Sequence, residues 1–280
     1  MSETRSVRDR MLEDGFCVLP RILPHRMVDR LRVATEDIWV DYTDEQRKAA
    51  GGQGSIAALP HLPEVFSELI AWPAAIEALN ELGFDRPRYW SGYIIAKDPH
   101  SPPSYWHQDW PFWDDPISAE REPQQIFLMY YLTDTTVANG CLRAIPGSNL
   151  KWCAQHELGG HDEGTRHEDP ATHPAYADSE DQVDVCVSAG DLVVGDARLL
   201  HGPRGNETDE RRTVITMWYL TDYDNLRPEL QAGFYHRLNM PPDKRLSAEW
   251  LERLTPLMLD NPGDVSPLDW NRDPRSILKG

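Results

Sequence analysis

The sequence predicts a mostly β fold, an antiparallel sandwich or jelly roll with helices at its flanks. Three observations predict it. Beyond Gly83 the chain breaks into short segments rich in aromatic and β-branched residues, at 88–96, 105–110, 125–132, 142–146, 183–187, 192–196 and 213–220. Pro, Gly, Asn or Asp separates each from the next. No helical period runs between them, which opposes a parallel βαβ sheet, because such a sheet needs a crossover helix between strands.

In chain order, 5–13 reads as a short polar helix and 15–19 as a first strand closed by Pro20. From 24 to 49, apolar positions recur at Val28, Leu31, Thr35, Ile38, Trp39 and Tyr42, the spacing of one helix face. Its aromatic residues are expected in the core. Residues 51–55, Gly-Gly-Gln-Gly-Ser, read as a flexible loop, and 63–82 as a helix interrupted at Pro73 and stopped at Gly83. After the strands, 247–259 reads as a helix, followed by an irregular Pro- and Asp-rich tail. The stretch 159–184 is a long, acidic, His-containing connection, expected to be a solvated loop, with a lid as the alternative. One domain over 1–280 is expected: helical support at 1–83, a jelly-roll core at 84–222 and a C-terminal extension at 223–280.

Composition narrows the partners. The chain has 28 Lys and Arg against 46 Asp and Glu, a net charge of −18, which opposes nucleic acid and anionic membrane surfaces. A small-molecule substrate is the expected partner, and nothing in the sequence speaks to oligomeric state. Cys17, Cys141, Cys153 and Cys186 are scattered without Cys-x-x-Cys spacing, so neither a disulfide framework nor a thiolate zinc site is expected. A reducing cytoplasm is the simpler expectation. No apolar run approaches the length of a membrane span.

The chemistry is expected at Tyr105-Trp106-His107-Gln108-Asp109-Trp110. Two residues apart on a strand, His107 and Asp109 point to one face, and His201 from a distant strand would complete a His, Asp, His set. Two imidazoles and one carboxylate with open positions suit non-haem Fe(II) in oxygenases. Of the other histidines, His25, His61, His100 and His236 are expected to be solvated, and His156, His161, His167 and His173 fall in or beside the acidic connection. His167-Glu168-Asp169 repeats the pattern, but on a loop that would not fix the two side chains. The strand after His201 opens with Arg211-Arg212. A buried guanidinium there requires an anionic partner, such as the far carboxylate of a keto diacid that chelates the iron. Alternation sends the two arginines to opposite faces, and periodicity does not say which points inward.

With these motifs in order, the sequence resembles the phytanoyl-CoA dioxygenase family of Fe(II)/2-oxoglutarate-dependent oxygenases. The resemblance spans roughly 14–222. Asp14-Gly15-Phe16-Cys17-Val18-Leu19 resembles the opening strand, and Trp106-His107-Gln108-Asp109 the first metal motif. Asn139-Gly140-Cys141-Leu142 with Ile145-Pro146-Gly147-Ser148-Asn149 is similar to the mid-chain signature, and His201-Gly202, Asn206 and Arg212 to the closing motif. The resemblance implies a double-stranded β-helix, a cupin-like jelly roll. It implies Fe(II) on His107, Asp109 and His201, and Arg212, not Arg211, on 2-oxoglutarate. Tyr93 and Met129 fall where further cosubstrate contacts lie, although both residue types differ from those of the best-known member. Pro203 replaces a small hydroxyl residue there, and Thr216 could substitute. The implied reaction consumes O2 and 2-oxoglutarate, releases succinate and CO2, and is expected to hydroxylate an unactivated C–H bond, with desaturation or ring formation as the alternatives. The carboxylate at Asp109 opposes halogenation, since a halogenase would carry Gly or Ala there.

Asp114, Asp115, Glu120 and Glu122 crowd the loop after the motif and argue for a neutral or amine-bearing small molecule, of secondary metabolism or amino-acid type, over an acyl-CoA. Two other classes are weighed. A non-catalytic metal-binding jelly-roll sensor has no reason to keep the arginine and a tryptophan-rich pocket. A zinc hydrolase has the ligand types but no general-base motif.

Overall fold

The computed structural model describes residues 5–50, 54–158, 164–238 and 240–279. Among the described residues, nine strands form two antiparallel sheets. The larger runs in the order β1 (Phe16–Leu19), β7 (Leu192–Asp196), β4 (Gln125–Tyr131), β9 (Arg212–Leu220), β3 (Arg88–Lys97), β2 (Ser55–Ala58). The smaller runs β6 (Val183–Val185), β5 (Leu142–Ala144), β8 (His201–Pro203). Strands distant in sequence lie side by side in two facing sheets, which is a double-stranded β-helix, the jelly roll that the family resemblance implies.

The helices cover one face of the large sheet. On the strands, Ile94, Ala96, Ile126, Leu128, Tyr130, Leu192, Val194, Ile215, Met217 and Tyr219 turn outward into the main core. There they meet α2 (His25–Val40), α4 (Glu64–Ile70) and α5 (Pro73–Glu81), through Met27, Leu31, Phe66, Leu69 and Leu79 among others. The aromatic stripe of the long helix lies here as expected, with Trp39 3% exposed and edge-on to Tyr42 at 5.2 Å. The helix expected over 24–49 is in fact two, because α2 ends at Val40 and α3 (Asp44–Ala50) restarts after Thr43. Pro73 divides α4 from α5 as the proline rule requires. Gly83, at φ +83°, then closes α5, with the Phe84 N–H donating to Leu79 O at 2.9 Å.

The opposite face looks onto the small sheet. Phe127, Met129, Tyr131, Val193 and Val214 pack there against Leu142, Ala144, Val185 and Leu199. Both faces of the large sheet are thus buried, which is why β9 reads as apolar on both sides. A third layer of side chains lies beyond β3, where α6 (Pro228–Leu238) seats Leu230 and Phe234 against Trp90, Trp110, Phe112 and Trp113.

Several elements differ from the sequence expectation. Residues 105–110 form no strand. His107 makes a single bridge to His201, and both main-chain bonds of that bridge are 3.0 Å long. Within the expected glycine loop, 51–53 lie outside the described residues, but Ser55 already begins β2. Pairing with β3 orders a segment that has no local strand signal. Helix α6 carries only a weak apolar stripe and was not expected. The helix expected over 247–259 is α7 (Ala248–Leu254) followed by a single 3-10 turn. His25, His100 and His236 are exposed as expected, but His61 is 7% exposed, with Nε2 3.3 Å from Met240 O, and burial lowers its pKa. No described helix is long and apolar enough to cross a membrane.

Candidate metal and cosubstrate site

His107, Asp109 and His201 offer ligand atoms that all lie within 4.8 Å of one another. They are the only such His, Cys, Asp or Glu group among the described residues. His167, of the competing triplet, is exposed, and His161 lies outside the described residues. The two imidazoles are held in the same way. His107 Nδ1 is 3.0 Å from Tyr105 O, and His201 Nδ1 is 3.0 Å from Leu199 O. A carbonyl only accepts, so each Nδ1 carries the proton and each Nε2 keeps its lone pair for a metal. The mutual main-chain bonds of the bridge set the rings 4.3 Å apart. Burial and the neighbouring His201 bring the His107 pKa down to about 4, which keeps the ring neutral and able to ligate.

Asp109 is fixed from both ends. Its N–H donates to Ala197 O at 2.7 Å, and its Oδ2 accepts from Trp218 Nε1 at 2.8 Å. Trp218 sits on β9 in the i+2 series Arg212, Val214, Thr216, Trp218, and that series was the signal available in the sequence. His201 is backed by Phe127, whose ring lies 4.7 Å away. Gly195 allows this, because a Cβ there would fall 2.0 Å from the Phe127 ring. Gln108 points the other way, toward Arg198 O and His156. Arg272, from the C-terminal segment, donates to Gln108 O at 3.2 Å and interacts electrostatically with Asp109.

A cavity opens from the triad. Its walls include Ile95, Met129, Tyr131, Leu142, Arg212, Val214, Thr216 and Trp218. Arg212 is 3% exposed, and its guanidinium lies 6.0 Å from the Tyr131 ring centre. Arg211 turns outward to Asp98 at 2.9 Å and Glu36 at 3.4 Å. Arg212 has no carboxylate within 4 Å among the described residues, and its buried Nε finds no acceptor. The Oγ1 of Thr216, on the same wall, is also buried without a partner. Lys97, opposite Arg212 in register, donates to Pro102 O at 2.6 Å. Burial and the Arg212 charge hold its pKa well below the ordinary value, so Arg212 is the permanent cation of this wall. Tyr93 shares a rung with Thr216 but stands edge-on to Trp218 at 5.8 Å and is not among the lining residues.

Three sequence expectations about the surroundings change. The tryptophan-rich motif is not a pocket wall. Trp106, Trp110 and Trp113 are each at most 1% exposed and pack away from the cavity, so Trp218 is the one tryptophan lining it. The acidic loop does not face the cavity either. Asp115 caps the Ile117 N–H and pairs with Arg227, Glu122 pairs with Arg8, and Asp114 accepts from Asn271. The connection after β5, where described, packs behind the small sheet. Arg143 reaches Tyr176 O and Asp178, and Trp106 bonds to Ala175 O and Ala177 O. That stretch supports the segment carrying His107.

A jelly roll with an inward-facing His, Asp, His cluster and a buried arginine defines a class, the non-haem iron 2-oxoglutarate oxygenases. Comparison with known proteins gives the family. The phytanoyl-CoA dioxygenase (PhyH) family pattern matches residues 11–214, and the chain belongs to this family. Phytanoyl-CoA dioxygenase 1 of Oryza sativa subsp. japonica is 30% identical over 234 residues, covering 77% of this chain and 79% of that protein. The L-proline trans-4-hydroxylase of Streptomyces griseoviridis is 30% identical over 144 residues, 48% of this chain and 51% of that one. A dioxygenase of Epichloe uncinata is 27% identical over 146 residues, 52% of each chain. The chain thus spans about half the length of these last two relatives. Among solved structures, the non-heme alpha ketoglutarate dependent epimerase SnoN from nogalamycin biosynthesis superposes with a TM-score of 0.58 at 20% identity, over 76% of this chain and 81% of that one. The carbocyclase SnoK gives 0.56 at 23%, over 78% and 84%. These two likenesses concern the fold. The family's cofactors are iron, 2-oxoglutarate and dioxygen.

Proposed function

We propose that the chain is an Fe(II)/2-oxoglutarate-dependent hydroxylase of a small molecule, of secondary-metabolite or amino-acid type. In the overall reaction, R–H, O2 and 2-oxoglutarate become R–OH, succinate and CO2. The observation that carries this reading is the buried Arg212 Nε and Thr216 Oγ1, both without acceptors, on the wall of the cavity that the His107, Asp109 and His201 cluster opens into. A carboxylate would satisfy both, and a keto diacid reaches from such a pair to a metal. His107, Asp109 and His201 would hold the iron through Nε2, a carboxylate oxygen and Nε2. Ferrous iron with 2-oxoglutarate, when bound, supplies the activation of dioxygen. Trp218 and the carbonyls of Tyr105 and Leu199 orient the three ligands, Arg212 and Thr216 bind the far carboxylate, and Met129 and Val214 give the keto diacid an apolar wall that excludes water.

The substrate reading draws on the proline hydroxylase relative and on the net charge of −18, which disfavours a CoA nucleotide. It does not draw on the acidic loop, which does not line the cavity and of which Asp114, Asp115 and Glu122 are engaged in the fold. Residues 1–280 are proposed to act as one catalytic unit. Asn271 pairs with both Pro111 and Trp113, so the C-terminal segment is stitched to the chain just past the metal motif.

Anaerobic addition of Fe(II) and then 2-oxoglutarate tests the proposal. The weak visible charge-transfer band of a ferrous keto-acid chelate is expected, and His107→Ala should abolish it. Metal-loaded, folded protein that binds no 2-oxoglutarate would turn the reading to a non-catalytic metal site. Succinate release with amino acids and not with an acyl-CoA is expected, and the reverse would overturn the substrate class.

A further inference from the structure

The cysteines are scattered in sequence, but the small sheet brings two of them together. β5 and β6 pair as Leu142↔Val185, Arg143↔Asp184 and Ala144↔Val183. The same antiparallel register, carried one step past Leu142, sets Cys141 directly across from Cys186. The two thiols are close enough for each to influence the other's ionisation. The Cys141 N–H donates to Thr136 O at 3.0 Å, and its carbonyl accepts from Arg204 N at 2.9 Å, so neither group turns toward Cys186. A cross-strand pair of that kind holds its Cα atoms at about 4.5 Å. That lies within the span of about 4.4–6.8 Å that a disulfide bridges. Cys186 is exposed and Cys141 is fully buried. Cys17 lies elsewhere, in the helix-side core, and Cys153 lies beside His156.

We propose that Cys141 and Cys186 form a dithiol modification site that hydrogen peroxide converts to a disulfide across the β5–β6 edge. Exposed Cys186 reacts first. Its sulfur attacks one peroxide oxygen, the O–O bond breaks, and Cys186 sulfenic acid and one water result. The Cys141 sulfur then attacks Cys186 Sγ, its proton leaves with the hydroxyl as a second water, and the S–S bond forms. Two thiols lose two electrons and two protons, and one peroxide is reduced to two waters. Burial and the neighbouring Cys186 push the Cys141 thiol up to about 12, which leaves the exposed Cys186 as the sulfur that meets peroxide first. The bond closes residues 142–185 into a loop that contains the stretch behind Trp106 and His107. It is therefore expected to raise the melting temperature by about 5–10 °C.

The full chain is treated with hydrogen peroxide, alkylated, and analysed without reduction by intact mass, peptide mapping and thermal melting. Loss of two hydrogens, a linked Cys141–Cys186 peptide and a higher melting temperature, all reversed by a dithiol reductant, are expected. Cys186→Ser, at an exposed position, should remove all three, and Cys141→Ser should leave Cys186 carrying added oxygen. The proposal is overturned if wild-type Cys186 becomes oxygenated while Cys141 stays alkylatable. It is equally overturned if the linked peptide joins Cys17, Cys153 or a second chain. None of these readouts depends on metal or turnover.

Discussion

Along β9, alternate residues live in different environments. Ile215, Met217 and Tyr219 pack outward into the helix-side core, where Tyr219 also donates its hydroxyl hydrogen to Ile70 O at 2.6 Å. Arg212, Val214, Thr216 and Trp218 face the cavity, and two of the four carry buried polar atoms with no hydrogen-bond partner among the described residues. The outer face is thus self-sufficient. The inner face keeps polar groups that cost stability unless something binds them. One strand therefore separates folding from chemistry by side-chain parity, and substitutions on its two faces should have different signatures.

The largest effect should come from the outer face. Met217→Ala, at a fully buried position, should cost about 2–5 kcal/mol in denaturant unfolding and leave 2-oxoglutarate affinity unchanged. An affinity loss with little change in stability would break the contrast. Arg212→Met should behave in the opposite way. Losing a charge-assisted pair with the far carboxylate should weaken 2-oxoglutarate binding by about 10- to 100-fold, equivalent to roughly 1.5–3 kcal/mol. The ligand-free chain should become more stable, because the variant removes a buried cation without a carboxylate partner. Calorimetric titration together with melting of the ligand-free protein checks both halves.

Trp218→Phe keeps an aromatic ring, though a smaller one, and removes the N–H that orients Asp109. Iron affinity should fall by about 10–100-fold with the fold intact, measured by competition with a chelator. The smallest effect concerns His156, which lies behind the site against Gln108. Burial holds its pKa down at about 4, so the folded chain stays neutral there while the unfolded chain takes up a proton below about pH 6.5. Its contribution is present above that pH and is lost as pH falls toward 4. Between pH 6.5 and 5.5 wild type should lose about 1 kcal/mol more than His156→Gln in parallel unfolding curves. Equal losses would remove His156 from the account.

Local signals account for much of this molecule. The i, i+3, i+4 stripe from Val28 to Tyr42 and the stops at Pro73 and Gly83 define the helical layer, because capping, proline geometry and amphipathicity act within a few residues. The β-branched runs at 88–97, 125–131, 192–196 and 212–220 give the large sheet, because strands buried on both faces must be apolar throughout. The ligand types at His107, Asp109 and His201 and the Arg211-Arg212 pair could be named from their motifs alone.

The local reading failed where distant partners decide. Ser55–Ala58 is a strand because β3 lies beside it, and 105–110 is irregular because its hydrogen bonds go to Ala197, Ala175 and His201. The acids after the metal motif suggested a charged pocket, but Arg227, Arg8 and Asn271 engage three of them. What the amino-acid sequence determined by itself is most of the strands and helices and the chemical kinds of group available to a site. The family resemblance already picked Arg212 over Arg211, but only the tertiary structure decided that Trp218 grips Asp109 and that Cys141 lies across from Cys186. Those outcomes depend on sheet register and on which face of each strand is covered, and both are set by contacts between segments far apart in the sequence.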